Sequence, residues 1–261
     1  MKAHDYQWLY ELEDNFWWFV GMRKITEALL DPVFSTEFKN RSVLDAGCGT
    51  GVNLQWVQRF AGDGMITGID VSPDALRFCG ERGQQYLGCA SVTDLPFADE
   101  VFDLVTSFDV LCQLPGTGAD QKALSEMFRV LKPGGIAFIR LPAFEWMRSG
   151  HDADLSTFQR YDLNTLADRV KAAGLNPVRM TYANSLLLLP AAFRRLVLKR
   201  IGVADGGSDV KPLGKNLDWL NRILTAALNT EARWLRKPGS KLPAGLSCIC
   251  IAEKPRKETV L

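Results

Sequence analysis

The feature that most constrains this fold is a glycine-rich turn, Gly47-Cys48-Gly49-Thr50-Gly51, between an apolar segment and a helical one. Glycine has no Cβ atom, so its backbone can turn tightly and come close to a ligand. The apolar segment, Arg41 to Asp45, predicts a buried strand, and Asn53 to Phe60 has helical periodicity. This order is typical of α/β folds that bind nucleotides, although the turn alone is a weak signal.

The rest of the chain alternates between short apolar segments and helical patterns. Such alternation predicts a mostly parallel sheet covered by helices on both faces. We expect seven strands, at 41–45, 65–70, 85–89, 102–108, 136–141, 177–182 and 247–253. We also expect a turn at Lys132 to Gly135 and a helix over the aromatic stretch from Tyr6 to Phe34.

Two segments extend beyond a minimal fold. Residues 1–40 are predicted to form an N-terminal helical, aromatic cap, and residues 41–261 the main domain. A helical insert at about 184–245 separates the last two strands, where a hairpin would suffice, and long inserts are usually functional or mobile. Between Leu186 and Lys241 there are eleven Lys or Arg and four Asp or Glu, a local charge of +7 in a chain of net charge +1.

The insert begins with an apolar stretch interrupted by Arg194, Arg195, Lys199 and Arg200. A basic amphipathic helix of this kind can lie on an anionic membrane surface; the alternative is a lid with a solvated basic face. The chain has no apolar run of about 18 residues and no N-terminal signal-peptide core. We therefore expect a cytoplasmic protein, with peripheral contact to the inner face of a membrane left open.

Cysteine and histidine are too scattered to predict a metal site. The six cysteines form no C-x-x-C pair, and the chain has two histidines. A zinc site needs about four such ligands. We predict that no metal is bound and that most of the cysteines pack as small apolar side chains.

Three acidic residues follow the strands at regular intervals. Asp45 precedes the first glycine by two residues, where a carboxylate suits a cationic ligand better than a pyrophosphate. Asp70 ends the second strand and can accept hydrogen bonds from ribose hydroxyls, which fits NAD and S-adenosylmethionine alike. Asp94, beside Leu95, suits an adenine. Each acid alone could be an N-cap or a solvated turn, but the ordered set favours a ligand site.

Four stretches carry a resemblance to a known family. They are VLDAGCGTG (Val43 to Gly51), GIDVSPDAL (Gly68 to Leu76), LPFADEVFDLVTSFDVL (Leu95 to Leu111) and FRVLKPGG (Phe128 to Gly135). In them the chain resembles the class I S-adenosylmethionine-dependent methyltransferases, type 11 subfamily. The N-terminal EDNFWWFVGMRK and the segments 149–161 and 242–255 resemble elements of a bacterial subgroup, so the resemblance covers nearly the whole chain.

The resemblance implies a Rossmann-like α/β fold whose seven-stranded, mostly parallel sheet has an antiparallel last strand. It also implies S-adenosylmethionine as cofactor and S-adenosylhomocysteine as product. The implied cofactor residues are Arg23 for the carboxylate, Asp45, Gly47, Cys48, Gly49 and Gly51 along the methionine, Asp70 and Val71 at the ribose, Asp94 and Leu95 at the adenine, and Phe108 and Asp109 closing the pocket. For Arg23 the alternative is a surface arginine at a helix end.

This chain departs from the family pattern at two places. Relatives commonly carry Glu-His where this chain has Cys112-Gln113, and His-x-Arg-Arg-Tyr where it has Thr157 to Tyr161. A substrate-facing histidine is missing from both places. A shared substrate or a shared base therefore does not follow from the resemblance.

The candidates for the chemistry itself are few. Methyl transfer from a sulfonium is an in-line displacement with a neutral leaving group, so it needs mainly alignment and a shielded pocket. A base is needed only for a poorly acidic nucleophile. The catalytic candidates are His151, Asp152 and Tyr161, and the substrate candidates are Trp17, Trp18, Gln113 and Arg160. The alternatives are a solvated loop for His151 and structural packing for Tyr161, Arg160, Trp17 and Trp18.

The sequence thus predicts methyl transfer to an oxygen, nitrogen or carbon of a small-molecule acceptor, which could be linked to a lipid or a sugar. The alternatives are an RNA methyltransferase and a non-catalytic or divergent S-adenosylmethionine-binding protein. The net charge of +1 argues against a nucleic-acid partner. The sequence does not indicate an oligomeric state.

Overall fold

The structure, a computed structural model, describes residues 3–34, 40–154, 156–193 and 217–256. The strands are β1 (Val43–Ala46), β2 (Ile66–Asp70), β3 (Leu87–Cys89), β4 (Phe102–Phe108), β5 (Leu131–Pro142), β6 (Asn176–Ala183) and β7 (Ser247–Glu253). The helices are α1 (Ala3–Leu12), α2 (Trp17–Leu30), α3 (Val52–Ala61), α4 (Pro73–Glu81), α5 (Ala119–Val130), α6 (Gly150–Asp154), α7 (Leu163–Ala172), α8 (Leu188–Phe193) and α9 (Asp218–Leu235).

The seven strands form one sheet in the order β3-β2-β1-β4-β5-β7-β6. Strand β1 pairs in parallel with β2 and β4, whereas β7 pairs antiparallel with both β5 and β6. The predicted fold is therefore confirmed, including the antiparallel last strand. From β1 the strand order continues through β2 and β3 on one side and through β4 and β5 on the other. The connections on the two sides therefore diverge, which opens a crevice at the carboxyl ends of β1 and β4, where such sheets bind ligands.

Helices cover both faces of the sheet. Side chains of α5 and α7, such as Leu124 and Leu166, pack with one buried apolar cluster. Side chains of α2, α3 and α9, such as Leu29, Leu54 and Leu228, pack with a second cluster on the other face. The sheet is thus buried on both sides, as its apolar strands require.

Two predicted elements differ from the observed ones. The expected turn at Lys132 to Gly135 belongs to β5, because Gly134 and Gly135 exchange backbone hydrogen bonds with Lys254 just after β7 (2.8 and 2.9 Å). The expected helix from Tyr6 to Phe34 is two helices. Asn221 of α9 holds the break, accepting from the Trp17 N–H at 2.8 Å and donating to the Asn15 carbonyl at 3.0 Å.

The N-terminal helices and the insert meet in the same layer. Gly21 of α2 lies so close to α9 that a Cβ atom there would collide with the Leu228 side chain. The insert leaves the sheet after Ala183 and returns at Ser247. The division of the chain into a cap and a main domain at residue 40 stays a prediction. In the part of the chain that the structure describes, no helix is long and apolar enough to cross a membrane.

Candidate active site

A cavity of about 620 Å³ lies at the carboxyl edge of the sheet, under the N-terminal helices. Thirteen of the predicted site residues line it: Trp17, Trp18, Arg23, Gly47, Cys48, Gly49, Asp70, Val71, Phe108, Asp109, Gln113, Asp152 and Arg160. A second cavity of about 430 Å³, between Asp99 and Arg256 at the opposite edge, holds none of them. The ligand-site prediction therefore points to the larger cavity.

The glycine turn gives this cavity part of its floor. Gly47, Gly49 and Gly51 all have positive φ angles (87°, 55° and 86°), a conformation that side chains other than glycine rarely adopt. A Cβ at Gly47 would collide with Val110, and one at Gly51 would lie 2.9 Å from the Cys79 sulfur. At Gly49 a Cβ would meet no atom within 4 Å. Packing thus explains Gly47 and Gly51, whereas Gly49 exposes its backbone to the open cavity.

Asp70 fixes the turn against the end of β2. Its Oδ2 accepts the Gly49 N–H at 3.0 Å, and its Oδ1 accepts the Ser72 N–H at 2.9 Å. Burial raises the pKa of Asp70, and these backbone N–H groups partly offset that shift. Each carboxylate oxygen has a second lone pair, so the pair can also accept hydrogen bonds from a ligand diol.

Asp45 lies behind the turn and not on the cavity surface. It is fully buried, and the Thr106 hydroxyl donates to its Oδ1 at 2.7 Å. Burial raises the pKa of Asp45 to about 7. Its Oδ2 is buried without a hydrogen-bond partner among the described residues. Because Asp45 does not line the cavity, this placement corrects the expectation that its carboxylate contacts the methionine part of the cofactor.

The adenine end differs from the expectation. Asp94 is exposed, and Leu95 is buried in the core with its N–H donated to Glu126 at 2.7 Å. The cavity is lined here by residues just before them, Ala90, Ser91 and Val92. The signal that would have found them is their place directly after β3, at the same edge as the other ligand-facing residues.

Glu13 is a cavity residue that the sequence does not single out. It is 7% exposed, accepts a hydrogen bond from the Thr50 hydroxyl and lies 3.4 Å from Arg82 Nη2. Burial raises the pKa of Glu13 to about 7. Arg82 also donates to both Asp14 carboxylate oxygens, at 3.1 Å each. These contacts tie the break between α1 and α2 to the glycine turn.

Arg23 faces the same end of the cavity. It is half-buried, and its Nη2 donates to the Asp14 carbonyl at 3.2 Å. Burial lowers the pKa of this guanidinium, which still leaves it charged at neutral pH. Its other N–H groups can serve a ligand carboxylate, as the resemblance implies.

A paired arginine stands at the other end of the cavity. Arg140 of β5 donates to Asp109 Oδ2 from Nε at 2.9 Å and from Nη2 at 2.6 Å. Its guanidinium carbon lies 4.9 Å from the Trp18 ring centre and 5.0 Å from that of Phe108. Arg140 is not among the residues predicted from the sequence, although a lone charge in an apolar strand would have marked it.

Asp152 and Arg160 form a buried ion pair beside this end. Arg160 donates to the two Asp152 oxygens at 2.7 and 3.2 Å and to the Ala143 carbonyl at 2.9 Å. The Ser149 N–H donates to Asp152 at 2.8 Å. The Asp152 carboxylate is therefore engaged by Arg160, and the catalytic role of Asp152 stays a prediction. His151 lies in α6, and its side chain is outside the described structure.

Tyr161 does not reach the cavity. It is 2% exposed in the core, and its hydroxyl donates to Asp120 at 3.1 Å. Burial and the Asp120 carboxylate raise the pKa of Tyr161, so the hydroxyl stays protonated. This placement corrects the catalytic assignment and supports the alternative of packing. Gln113 lines the cavity, as does its neighbour Cys112, whose side chain is almost fully buried and whose thiol pKa is raised by that burial.

Residues 3–34, 40–154, 156–193 and 217–256 contain no group of three or more His, Cys, Asp or Glu side chains that could hold a metal ion. The predicted lack of a metal stays a prediction.

The fold, the glycine turn and the strand-end acid define a class of nucleotide-binding enzyme, and comparisons show which one. A family model described as "Methyltransferase domain" matches residues 44–139. A malonyl-(acyl-carrier protein) O-methyltransferase of Herminiimonas arsenicoxydans is 38% identical over 234 residues, which cover 83% of this chain and 82% of that protein. The chain belongs to the class I S-adenosylmethionine-dependent methyltransferases, type 11 family, so the predicted family is confirmed.

Other relatives match only in part. A tRNA (carboxymethyluridine(34)-5-O)-methyltransferase of Arabidopsis thaliana is 33% identical over 115 residues, 44% of this chain, and the chain spans 26% of that relative's length. Among solved structures, a SAM-dependent methyltransferase from Archaeoglobus fulgidus aligns with a TM-score of 0.57 at 17% identity, covering 90% of this chain and 94% of that one. That likeness supports the fold alone.

Proposed function

We propose that this protein transfers the methyl group of S-adenosylmethionine to a small-molecule acceptor within the larger cavity. The observation that carries the proposal is the continuity of this cavity, which runs from Gly49 and Asp70 to Arg140 and Asn184. Its volume of about 620 Å³ lies within the range of roughly 300–1,000 Å³ that small-molecule sites have. One end suits a nucleoside, and the other remains for an acceptor.

The chain's own residues would bind and shield the cofactor. Asp70 would accept the ribose hydroxyls, Ser91 and Val92 would contact the adenine, and Arg23 would pair with the carboxylate. Bound S-adenosylmethionine supplies a methyl group on a sulfonium. The aromatic side chains Phe16, Trp17 and Trp18 wall the cavity, so they exclude water from the displacement.

The carboxylates at the acceptor end favour an acceptor whose nucleophile is already ionised and needs no general base. Asp109 is engaged by Arg140, and Asp152 by Arg160. An arginine occupies lone pairs of each carboxylate, so neither is well placed to take a proton from a weakly acidic group. Transfer would then depend on alignment, which suffices for a carboxylate acceptor. The O-methyltransferase activity named for the Herminiimonas relative is in keeping with this choice.

The test is to incubate the protein with methyl-labelled S-adenosylmethionine and a bacterial cell extract, then to separate organic-soluble, aqueous and macromolecular fractions. We expect label in an organic or aqueous small molecule. Asp70→Asn should abolish labelling because it removes the charge and one acceptor at the ribose. Asp103→Asn is the matched control, since Asp103 likewise accepts a backbone N–H (Ser42, 2.8 Å) but lies outside the cavity.

Two outcomes would overturn the proposal. Label in the macromolecular fraction that ribonuclease releases would favour the RNA alternative, which the relatives as a whole do not favour. Cofactor binding without transfer to any fraction would favour the non-catalytic alternative.

Contact with an anionic membrane surface stays a prediction. The basic residues that suggest it, Arg194, Arg195, Lys199 and Arg200, lie outside the described residues.

A further inference from the structure

Asn184 occupies the point where the insert leaves the sheet. It directly follows β6, is 1% exposed and lines the cavity. Its φ angle is +60°, a left-handed conformation that asparagine tolerates better than most residues but still at a cost. The Leu246 N–H donates to its carbonyl at 3.3 Å, so the two ends of the insert meet at this residue.

Glu231 of α9 holds the backbone at this position. Its buried carboxylate accepts a hydrogen bond from the Leu186 N–H at 2.8 Å, and the backbone N–H groups of Asn184 and Ser185 also face it. The backbone is thus fixed from the insert side. Such a contact restrains the backbone from which the Asn184 side chain extends.

The Asn184 amide oxygen, Oδ1, is buried and is not paired within the part of the chain that the structure describes. Leaving a buried amide oxygen unpaired is costly, and native proteins rarely do so without a reason. An unpaired amide on the wall of a ligand cavity is explained when a ligand pairs with it.

The position of Asn184 in the sheet says which part of a ligand it would meet. Three strand spacings separate β6 from β4 in the order β4-β5-β7-β6. At about 4.8 Å each, they place Asn184 about 14 Å from the Phe108 end of β4. A group bound beside Asn184 is therefore well separated from Phe108 at the end of β4.

The charges at this end of the cavity indicate the nature of that group. Among the described lining residues, Arg140 and Arg160 are the cations on this side, and each is paired with an aspartate. A phosphate or second carboxylate would find no unpaired described cation. An uncharged hydroxyl or amide needs only the Asn184 acceptor.

We propose that Asn184 is a specificity-determining residue that accepts a hydrogen bond from an uncharged O–H or N–H group at the far end of an extended acceptor. The inference rests on the proposed function, since it assigns the near end of the same cavity to the methyl donor. The side-chain oxygen that has no partner among the described residues becomes paired when the correct acceptor binds.

The test measures binding by calorimetry in the presence of saturating S-adenosylhomocysteine. The probes are 10-hydroxydecanoic acid, which carries the far hydroxyl, decanoic acid, which lacks it, and decanedioic acid, which carries a far carboxylate. The wild-type protein should bind the hydroxy acid about fivefold more tightly than decanoic acid, the worth of one net hydrogen bond. Decanedioic acid should bind no more tightly than the hydroxy acid.

The variants distinguish the contribution of the Asn184 side-chain amide from that of its left-handed backbone conformation. Asn184→Gly keeps the left-handed backbone and should bind the two monoacids equally. Asn184→Asp keeps acceptor oxygens in the same place and should retain the preference. Asn40→Gly is the matched control, because Asn40 also has a positive φ (67°) but is exposed and outside the cavity lining; it should behave as the wild type.

The proposal is overturned if Asn184→Gly keeps the fivefold preference, if the dicarboxylic acid binds best, or if none of the three acids binds the wild-type complex. Failure of S-adenosylhomocysteine to bind would instead contradict the proposed function. Cofactor binding that persists in Asn184→Gly with lost discrimination would support both.

Discussion

Glu13 and Asp45 show how single residues near the glycine turn combine stability with site geometry. The fold buries both carboxyl groups, and burial raises the pKa of each to about 7. Glycines and strand-end acids such as Gly49, Asp70 and Asp109 could be predicted because their signal is local spacing. Glu13 and Asn184 could not, because their partners Thr50 and Glu231 lie 37 and about 47 residues away in the chain.

A raised carboxyl pKa makes stability depend on pH with a definite sign. The folded state binds the proton more tightly than the unfolded state, so the free energy of unfolding falls as pH rises from about 4.5 to about 7. Below that window both states are protonated, and above it both are ionised. The cost of keeping Glu13 ionised is therefore fully present only above about pH 7.

We predict that Glu13→Gln flattens this pH dependence. Glutamine can still accept from Thr50 and has no charge to bury, while Arg82 keeps its contact with Asp14. Between pH 5.5 and 8 the free energy of unfolding of the wild type should fall by about 2 kcal/mol more than that of the variant. The difference accumulates at about 1.4 kcal/mol per pH unit and ends near the Glu13 pKa of about 7. Urea denaturation at both pH values measures this. Glu11→Gln, the same change at an exposed position of α1, should keep the wild-type slope, and an equal slope for Glu13→Gln would refute the argument.

The packing of α2 against α9 joins two elements that the sequence presents as unrelated. The bounds of β4 and β7 were predictable from their apolar runs and match the observed ones. The break between α1 and α2 was not predictable, since the Asn221 side chain of α9 stabilises it through hydrogen bonds to Asn15 and Trp17. Likewise β5 begins before the expected residue, because Lys254 pairs with its glycines. Local periodicity finds elements, whereas contacts between distant segments set their ends.

Glycine-to-alanine substitutions inside and outside the α2–α9 contact should have opposite effects on stability. Gly21→Ala should destabilise the protein by about 1–3 kcal/mol, because the new methyl group collides with Leu228 in a packed interface. Gly80→Ala should stabilise it by up to about 1 kcal/mol, since Gly80 lies in α4 with no atom within 4 Å of the new Cβ. Chemical denaturation of both variants tests the contact. A Gly21→Ala protein as stable as Gly80→Ala would show that the helices are not so close.

The whole molecule builds its cavity from segments that are far apart in the chain. The N-terminal helices, the glycine turn, the ends of β2, β4 and β5, and the two ends of the insert all contribute. The core fold and cofactor end follow from alternation and motifs, so the sequence predicts them well. The acceptor end depends on how the cap and the insert pack together, which no local pattern specifies.

The most direct test of this account is calorimetric titration of S-adenosylhomocysteine into the wild type, Gly49→Ala and Gly239→Ala. Both glycines have positive φ angles (55° and 72°) and room for a Cβ, so both variants bear a similar backbone strain. Only Gly49 lines the cavity. We predict one ligand per chain for the wild type and Gly239→Ala, and affinity at least about tenfold weaker for Gly49→Ala, a loss of about 1.4 kcal/mol. Absence of wild-type binding, or equal binding by Gly49→Ala, would contradict a cofactor site at the glycine turn.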